Sequence, residues 1–221
     1  MANHAIIVAA GAGKRFGGKK QFYPVKGRPL FLYATSAFES HSQIQTIVLV
    51  VPKRQKVRMK KLTKAMGLSK VRYVVSGGQR RQDSVINGLR VIKDKSGVVI
   101  IHDAVRPMVS KATIGKGIAL CRKYKSVVLG VKVHDTVKRV AKRRVQETVP
   151  RDGLFLIQTP QFYDLRTIRN AIATADSDVE YTDEAAMLES LGLPVYLFIG
   201  DRYNIKVTDK RDLKIMEKLL S

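Results

Sequence analysis

The sequence predicts an α/β fold on a largely parallel sheet. Two observations predict it. Apolar, β-branched runs of strand length recur along the chain, and segments with helical spacing lie between them. The runs are nearly continuous, as strands covered on both faces should be. Strand–helix alternation then implies right-handed crossovers and parallel neighbours.

The elements follow in chain order. AIIVAA (5–10) is the first strand. Residues 29–39 place Leu30, Tyr33, Ala34 and Ala37 on one side of a helix. TIVLVV (46–51) and VRYVV (71–75) are strands, followed by a helix over 82–91 that groups Val85, Ile86 and Leu89. GVVIIH (97–102) is the next strand, and Ser110 caps a helix running to 123. SVVLGVKV (126–133) and VYLFI (195–199) complete the clear strands, and Thr208 caps a last helix through Leu220. Residues 134–150, HDTVKRVAKRRVQETVP, break this rhythm. Polar and β-branched residues alternate there around a basic middle, which reads as a projecting β-hairpin. The pattern leaves open whether it is a solvated flap or an arm around a second subunit. No internal repeat divides the chain, and its 221 residues suit one domain, 1–221.

Composition excludes several classes. No apolar run reaches the ~18 residues of a membrane span. The start, MANHAIIVAAGAG, lacks a basic leader and runs into glycines, so it reads as a strand and not a signal peptide. Cys121 is the single cysteine, so no intrachain disulfide forms; this fits a reducing cytoplasm. The net charge of +23 attracts polyanions. The cations are spread along the chain and carry no aromatic-rich RNA signature, so a phosphorylated small substrate is expected before nucleic acid.

Parallel sheets bind ligands at the carboxyl ends of their strands, so the residues after each strand are the ones to weigh. After the first comes AAGAGKRFGGKKQF. The dinucleotide fingerprint fits Gly11 and Gly13 but fails at Phe16, and the Walker A loop fits Gly13, Gly18 and Lys19 but has Lys20 where the metal-binding hydroxyl belongs. What remains is a small-residue loop whose N–H groups can approach a triphosphate, followed by Arg15 and Lys20, which can neutralise charge on an α-phosphate and a leaving pyrophosphate. After the strand at 97–102 comes Asp103, placed to hold the Mg²⁺ of a triphosphate. After the strand at 71–75 comes SGGQRRQDS, where glycines can pass close to a base edge and Ser84 can donate to it. The four histidines show no zinc spacing, and no G-x-S-x-G occurs.

In order from residue 9 to 208 stand AAGAGKRFG, KQF, GGQRRQDSV, HDAVRP, DTVK, TPQ, TDEA and NIKVT. This set resembles the 2-C-methyl-D-erythritol 4-phosphate cytidylyltransferases of the non-mevalonate isoprenoid pathway, over nearly the whole chain. The resemblance implies a Rossmann-like nucleotidyltransferase three-layer sandwich, with 134–150 as a β-arm exchanged across a homodimer. It implies transfer of CMP from CTP to a sugar-alcohol 4-phosphate, with Mg²⁺ and release of pyrophosphate. By motif, Arg15 and Lys20 would be catalytic, and Asp103 would hold the metal. Ala9, Ala10, Gly11, Gly13, Gly78, Ser84 and Ala104 would line the nucleotide site. Arg106, Thr136, Thr159, Thr182 and Lys206 would surround the acceptor and metal, and Arg151 would reach in from the partner. Lys19 stands where the family usually has proline, so Lys19 is an alternative to Lys20. A pentitol phosphate cytidylyltransferase is the neighbouring reading, although its loop usually reads Ala-Gly-Gly where this chain has Ala9-Ala10-Gly11. An inactive RNA-binding protein on the same fold is the reading from another class.

Overall fold

The computed structural model describes residues 1–13 and 16–219. Seven strands form the main sheet: β1 (Ala2–Val8), β4 (Thr46–Val51), β5 (Val71–Ser76), β6 (Gly97–Asp103), β7 (Ser126–Lys132), β10 (Phe155–Asp164) and β11 (Tyr196–Ile199). Their order is β11-β7-β10-β6-β1-β4-β5. β10 runs antiparallel to β6 and β7, and the other pairings are parallel. Two short hairpins stand apart, β2 (Pro24–Val25) with β3 (Arg28–Pro29), and β8 (Val137–Ala141) with β9 (Arg144–Val149).

The three layers follow from the alternation of side chains along the central strands. Ala5 and Ile7 of β1, Ile47 and Leu49 of β4, and Val98 and Ile100 of β6 point to one face. There they meet Phe31 and Phe38 of α1 (Leu30–Glu39), Met59 of α2 (Lys56–Ala65), and Ile114 and Ile118 of α4 (Lys111–Tyr124). Ile6, Val48, Val50, Val99 and Ile101 point to the other face. They meet Val85 and Leu89 of α3 (Arg81–Arg90), Leu165 and Ile168 of α5 (Leu165–Thr174), and Met187 and Leu188 of α6 (Glu184–Ser190). A continuous apolar run is what such doubly covered strands require, and each fully buried aliphatic contributes roughly 1.5–3 kcal/mol. A third cluster closes the carboxyl end: Phe16, Val25, Leu30, Val105 and Val207 pack on Leu213 and Met216 of α7 (Lys210–Leu219).

Several expected bounds shift. The first strand is Ala2–Val8, and Ala9 and Ala10 already belong to the loop. Pro29 ends β3 and caps α1 instead of opening it. Ser110 caps α4 as read, its hydroxyl accepting the Thr113 N–H at 3.1 Å. α7 begins at Lys210, with the Asp212 carboxylate accepting the Thr208 and Asp209 N–H groups; Leu220 lies outside the described residues. α2, α5, α6 and β10 were not read from the sequence. The segment 134–150 does form a hairpin, turning at Lys142 and Arg143, both at positive φ.

Candidate active site

The carboxyl ends of β1, β5 and β6 surround a cavity of about 430 Å³. The glycine loop forms one wall. Gly13 has φ +69°, and a Cβ there would fall 1.8 Å from the Gly18 carbonyl oxygen, so only glycine fits the turn. Gln21 fixes the loop from below. It is 2% exposed, and its Nε2 donates to the Ala9 carbonyl at 2.7 Å and the Gly11 carbonyl at 3.0 Å. Gln21 lies in a single 3₁₀ turn, Lys20–Phe22, so the same contacts aim Lys20 into the cavity.

The loop after β5 forms the second wall, through Gly78, Gln79, Arg80, Arg81 and Ser84. Gly77 lies so close to the first loop that a Cβ would meet the Ala10 Cβ at 2.3 Å. The Ser84 hydroxyl accepts the Gly78 N–H at 3.1 Å, and the Asp83 carboxylate accepts the Arg80 N–H at 2.9 Å. These bonds fold the loop back onto the start of α3.

Asp103 stands at the end of β6, its side chain 9% exposed, between two cations. Arg81 Nε is 3.2 Å from Oδ1, and Lys206 Nζ is 2.6 Å from Oδ2. Burial pushes this carboxyl up, but Arg81 first and Lys206 next bring it well below the usual carboxylate range, so it is ionised. Arg81 Nη1 also donates to both carboxylate oxygens of Glu184, at 2.9 and 2.8 Å. Burial works against the Arg81 charge; Glu184 and then Asp103 outweigh it and hold the guanidinium protonated well above its ordinary value.

Lys206 reaches Asp103 because the segment before it is pinned. Asn204 is buried; its Nδ2 donates to the Thr159 carbonyl at 2.8 Å, and its carbonyl accepts from Arg106 at 2.8 Å. His102 lies behind the site. Its Nε2 is 3.0 Å from the Arg106 carbonyl, which can only accept, so Nε2 carries the proton and Nδ1 accepts the Thr159 hydroxyl at 3.2 Å. Burial lowers the imidazole to about 4, so it is neutral at physiological pH, with both ring nitrogens engaged.

The cavity therefore brings together Ala9, Ala10, Gly11, Gly13, Lys20, Gly78, Ser84, Asp103 and Lys206. Six other positions singled out in the sequence do not line it. Ala104 is fully buried and donates its N–H to the Val8 carbonyl, bracing the strand ends. The Thr159 hydroxyl accepts the Asp103 N–H at 3.0 Å and so acts from behind. Arg106 is turned to Asn204, and Thr136 and Thr182 are exposed. Arg151 is exposed at the base of the arm, its guanidinium on the His134 carbonyl. Arg15 lies outside the described residues. Sequence reasoning passed over Gln21, Arg81 and Glu184. KQF, GGQRRQDSV and TDEA contain them, but nothing local signals that Gln21 bonds back to the glycine loop or that Arg81 pairs with Glu184.

A family model described as 2-C-methyl-D-erythritol 4-phosphate cytidylyltransferase matches residues 3–221. A protein of that name from Dictyoglomus thermophilum is 40% identical over 98% of this chain and 95% of its own. One from Clostridium novyi is 40% identical over 99% and 96%. Among solved structures, the 4-diphosphocytidyl-2C-methyl-D-erythritol synthase of Anaerococcus prevotii superposes with a TM-score of 0.85 at 30% identity, covering 99% of this chain and 96% of that one.

Proposed function

The chain belongs to the 2-C-methyl-D-erythritol 4-phosphate cytidylyltransferase family, and from that premise we propose that its cavity binds CTP and transfers CMP to the acceptor's 4-phosphate, releasing pyrophosphate. One observation carries this reading. The glycine loop and Lys20 face, across about 430 Å³, an ionised Asp103 set between Arg81 and Lys206. That is a phosphate cradle opposite a metal-ligand carboxylate.

The chemistry needs little else. The nucleophile is a phosphate oxygen, anionic at neutral pH, so no general base is called for. His102, neutral and bonded at both nitrogens, offers none. Catalysis then rests on position and charge. Lys20 takes charge developing on the α-phosphate and the departing pyrophosphate, with Arg15 in the same role. Ala9, Ala10, Gly11, Gly13, Gly78 and Ser84 hold the nucleotide.

Mg²⁺ belongs to this proposal, held by Asp103. Asp103 lines the cavity and is ionised, which suits an ion bound through one or two carboxylates and substrate phosphates. Bound there, it would offset the triphosphate's charge. Lys206, which lines the cavity, would meet the acceptor, with Thr136 and Thr182 as exposed groups free to join it, while Arg106 and Thr159 act from behind by fixing Asn204 and Asp103.

A homodimer completes the reading. Val140 and Val145 on the arm are exposed, as are Leu156, Ile157, Leu197 and Ile199 on the adjoining β10 and β11. Such apolar surface favours a second copy. Arg151 would then serve the partner's site. Among the described residues no helix is long and apolar enough to cross a membrane. Cys121 is buried, and burial first of all pushes its thiol up to about 12.

The test is pyrophosphate release with Mg²⁺ and CTP. Methylerythritol 4-phosphate should support it and ribitol 5-phosphate should not. Release with ribitol 5-phosphate alone would keep the chemistry and replace the acceptor.

A further inference from the structure

Glu184 opens α6, is 1% exposed and does not line the cavity. A carboxylate buried this deeply is costly unless it is paired, and its partner is Arg81, 103 residues away in the chain, whose Nη1 donates to both carboxylate oxygens. Arg81 in turn commits its Nε to Asp103 Oδ1. Three elements thus meet through one guanidinium: the start of α6, the start of α3 and the end of β6.

Both ends of this relay are anchored. Asp183, beside Glu184, accepts the Ala186 N–H at 2.9 Å and Gln161 Nε2 at 2.7 Å, and Gln161 Oε1 accepts the Tyr163 hydroxyl at 2.8 Å. The start of α3 is fixed by the Arg80–Asp83 pair. Arg81 Nη2 is buried and finds no hydrogen-bond partner among the described residues; because the guanidinium is planar, holding Nη1 on Glu184 leaves its Nε–H one direction. Here that direction is Asp103 Oδ1. Oδ2 is held by Lys206, a flexible side chain that can leave.

We propose that Glu184, acting through Arg81, is a positioning residue that fixes the Asp103 carboxylate for the metal–nucleotide complex. Oδ1 stays with Arg81, and Oδ2 is the oxygen that exchanges Lys206 for Mg²⁺. This rests on the functional reading above, through Mg²⁺ as the partner of Asp103. Groups behind a metal ligand commonly govern metal affinity by 10–100-fold.

The test is calorimetric titration of CTP into folded protein, once with Mg²⁺ and once with EDTA, for wild type and Glu184→Gln. The variant should weaken Mg²⁺–CTP binding about tenfold or more and leave metal-free CTP binding within about twofold. Glu184→Asp, which keeps the charge and shortens the reach to Arg81, should show the same split and carries the test if Glu184→Gln does not fold. In turnover the variants should need about tenfold more Mg²⁺ for half-maximal rate, with the acceptor KM little changed. Equal weakening in both buffers would reduce the pair to a strut of the cavity wall and overturn the proposal, as would unchanged binding. Wild type that releases no pyrophosphate would defeat the functional reading, while the two-buffer comparison would still decide this one.

Discussion

The cations around Asp103 and those on α2 have the same chemistry and opposite settings. Lys53, Arg54, Lys56, Arg58, Lys60, Lys61 and Lys64 are exposed, and none takes part in an ion pair found among the described residues. The chain has no Asp or Glu between Glu39 and Asp83, so α2 is a solvated basic face. In the site, Arg81 is held by Asp103 and Glu184, and Lys206 is paired with Asp103. The net charge of +23 therefore says little about where chemistry happens. The scarce carboxylates mark the cations that are held in place, because a buried charge needs a partner and a solvated one does not.

Perturbing the buried side of this comparison should cost most. His102 sits near 4 in the folded protein and near 6.5 when unfolded, so the unfolded chain binds the extra proton. Its contribution is complete above about pH 6.5 and is lost as pH falls toward 4, by up to about 3 kcal/mol. His4 and His41, also lowered mainly by burial, steepen the slope. Denaturant unfolding across this range should show that fall, and His102→Gln should flatten it. Lys20→Ala should lower turnover at least about a hundredfold, or roughly 2.7 kcal/mol of transition-state stabilisation. Equal turnover would remove Lys20 from the chemistry and bring Lys19 forward. Mixing that variant with Arg151→Ala should restore activity in one site of each mixed dimer; no recovery despite proven subunit exchange would end the trans assignment.

Gln21→Ala frees the glycine loop without touching a charge, and turnover should fall about tenfold, or roughly 1.4 kcal/mol. The smallest effect belongs to α2. Replacing Lys56, Lys60 and Lys64 together by alanine should change stability by less than about 0.5 kcal/mol and turnover by less than about twofold. A larger loss would mean that the basic face feeds the site.

The same contrast explains what the sequence could disclose. β4 was legible to the residue, as TIVLVV, because it is covered on both faces. β10 was not. Its FLIQTPQFYD carries polar residues and Pro160, which demote a strand reading, although the bulge between Gln158 and Phe162 accommodates them. α2 escaped because only Met59 and Thr63 of its ten residues are buried, leaving little apolar periodicity. In the site, the residues that line the cavity lie in segments at or following strand ends, and those segments could be read. Gln21, Arg81 and Glu184 act on other protein groups, some of them a hundred residues away, and local pattern carries no trace of such contacts.

The most direct test of the central claim is ³¹P NMR of wild type with CTP, Mg²⁺ and methylerythritol 4-phosphate. Transfer predicts loss of the acceptor's monophosphate signal, growth of a coupled pair of diphosphate signals, and pyrophosphate in equal amount. Accumulation of CDP with inorganic phosphate, or of CMP with the acceptor signal intact, would show hydrolysis and contradict the account.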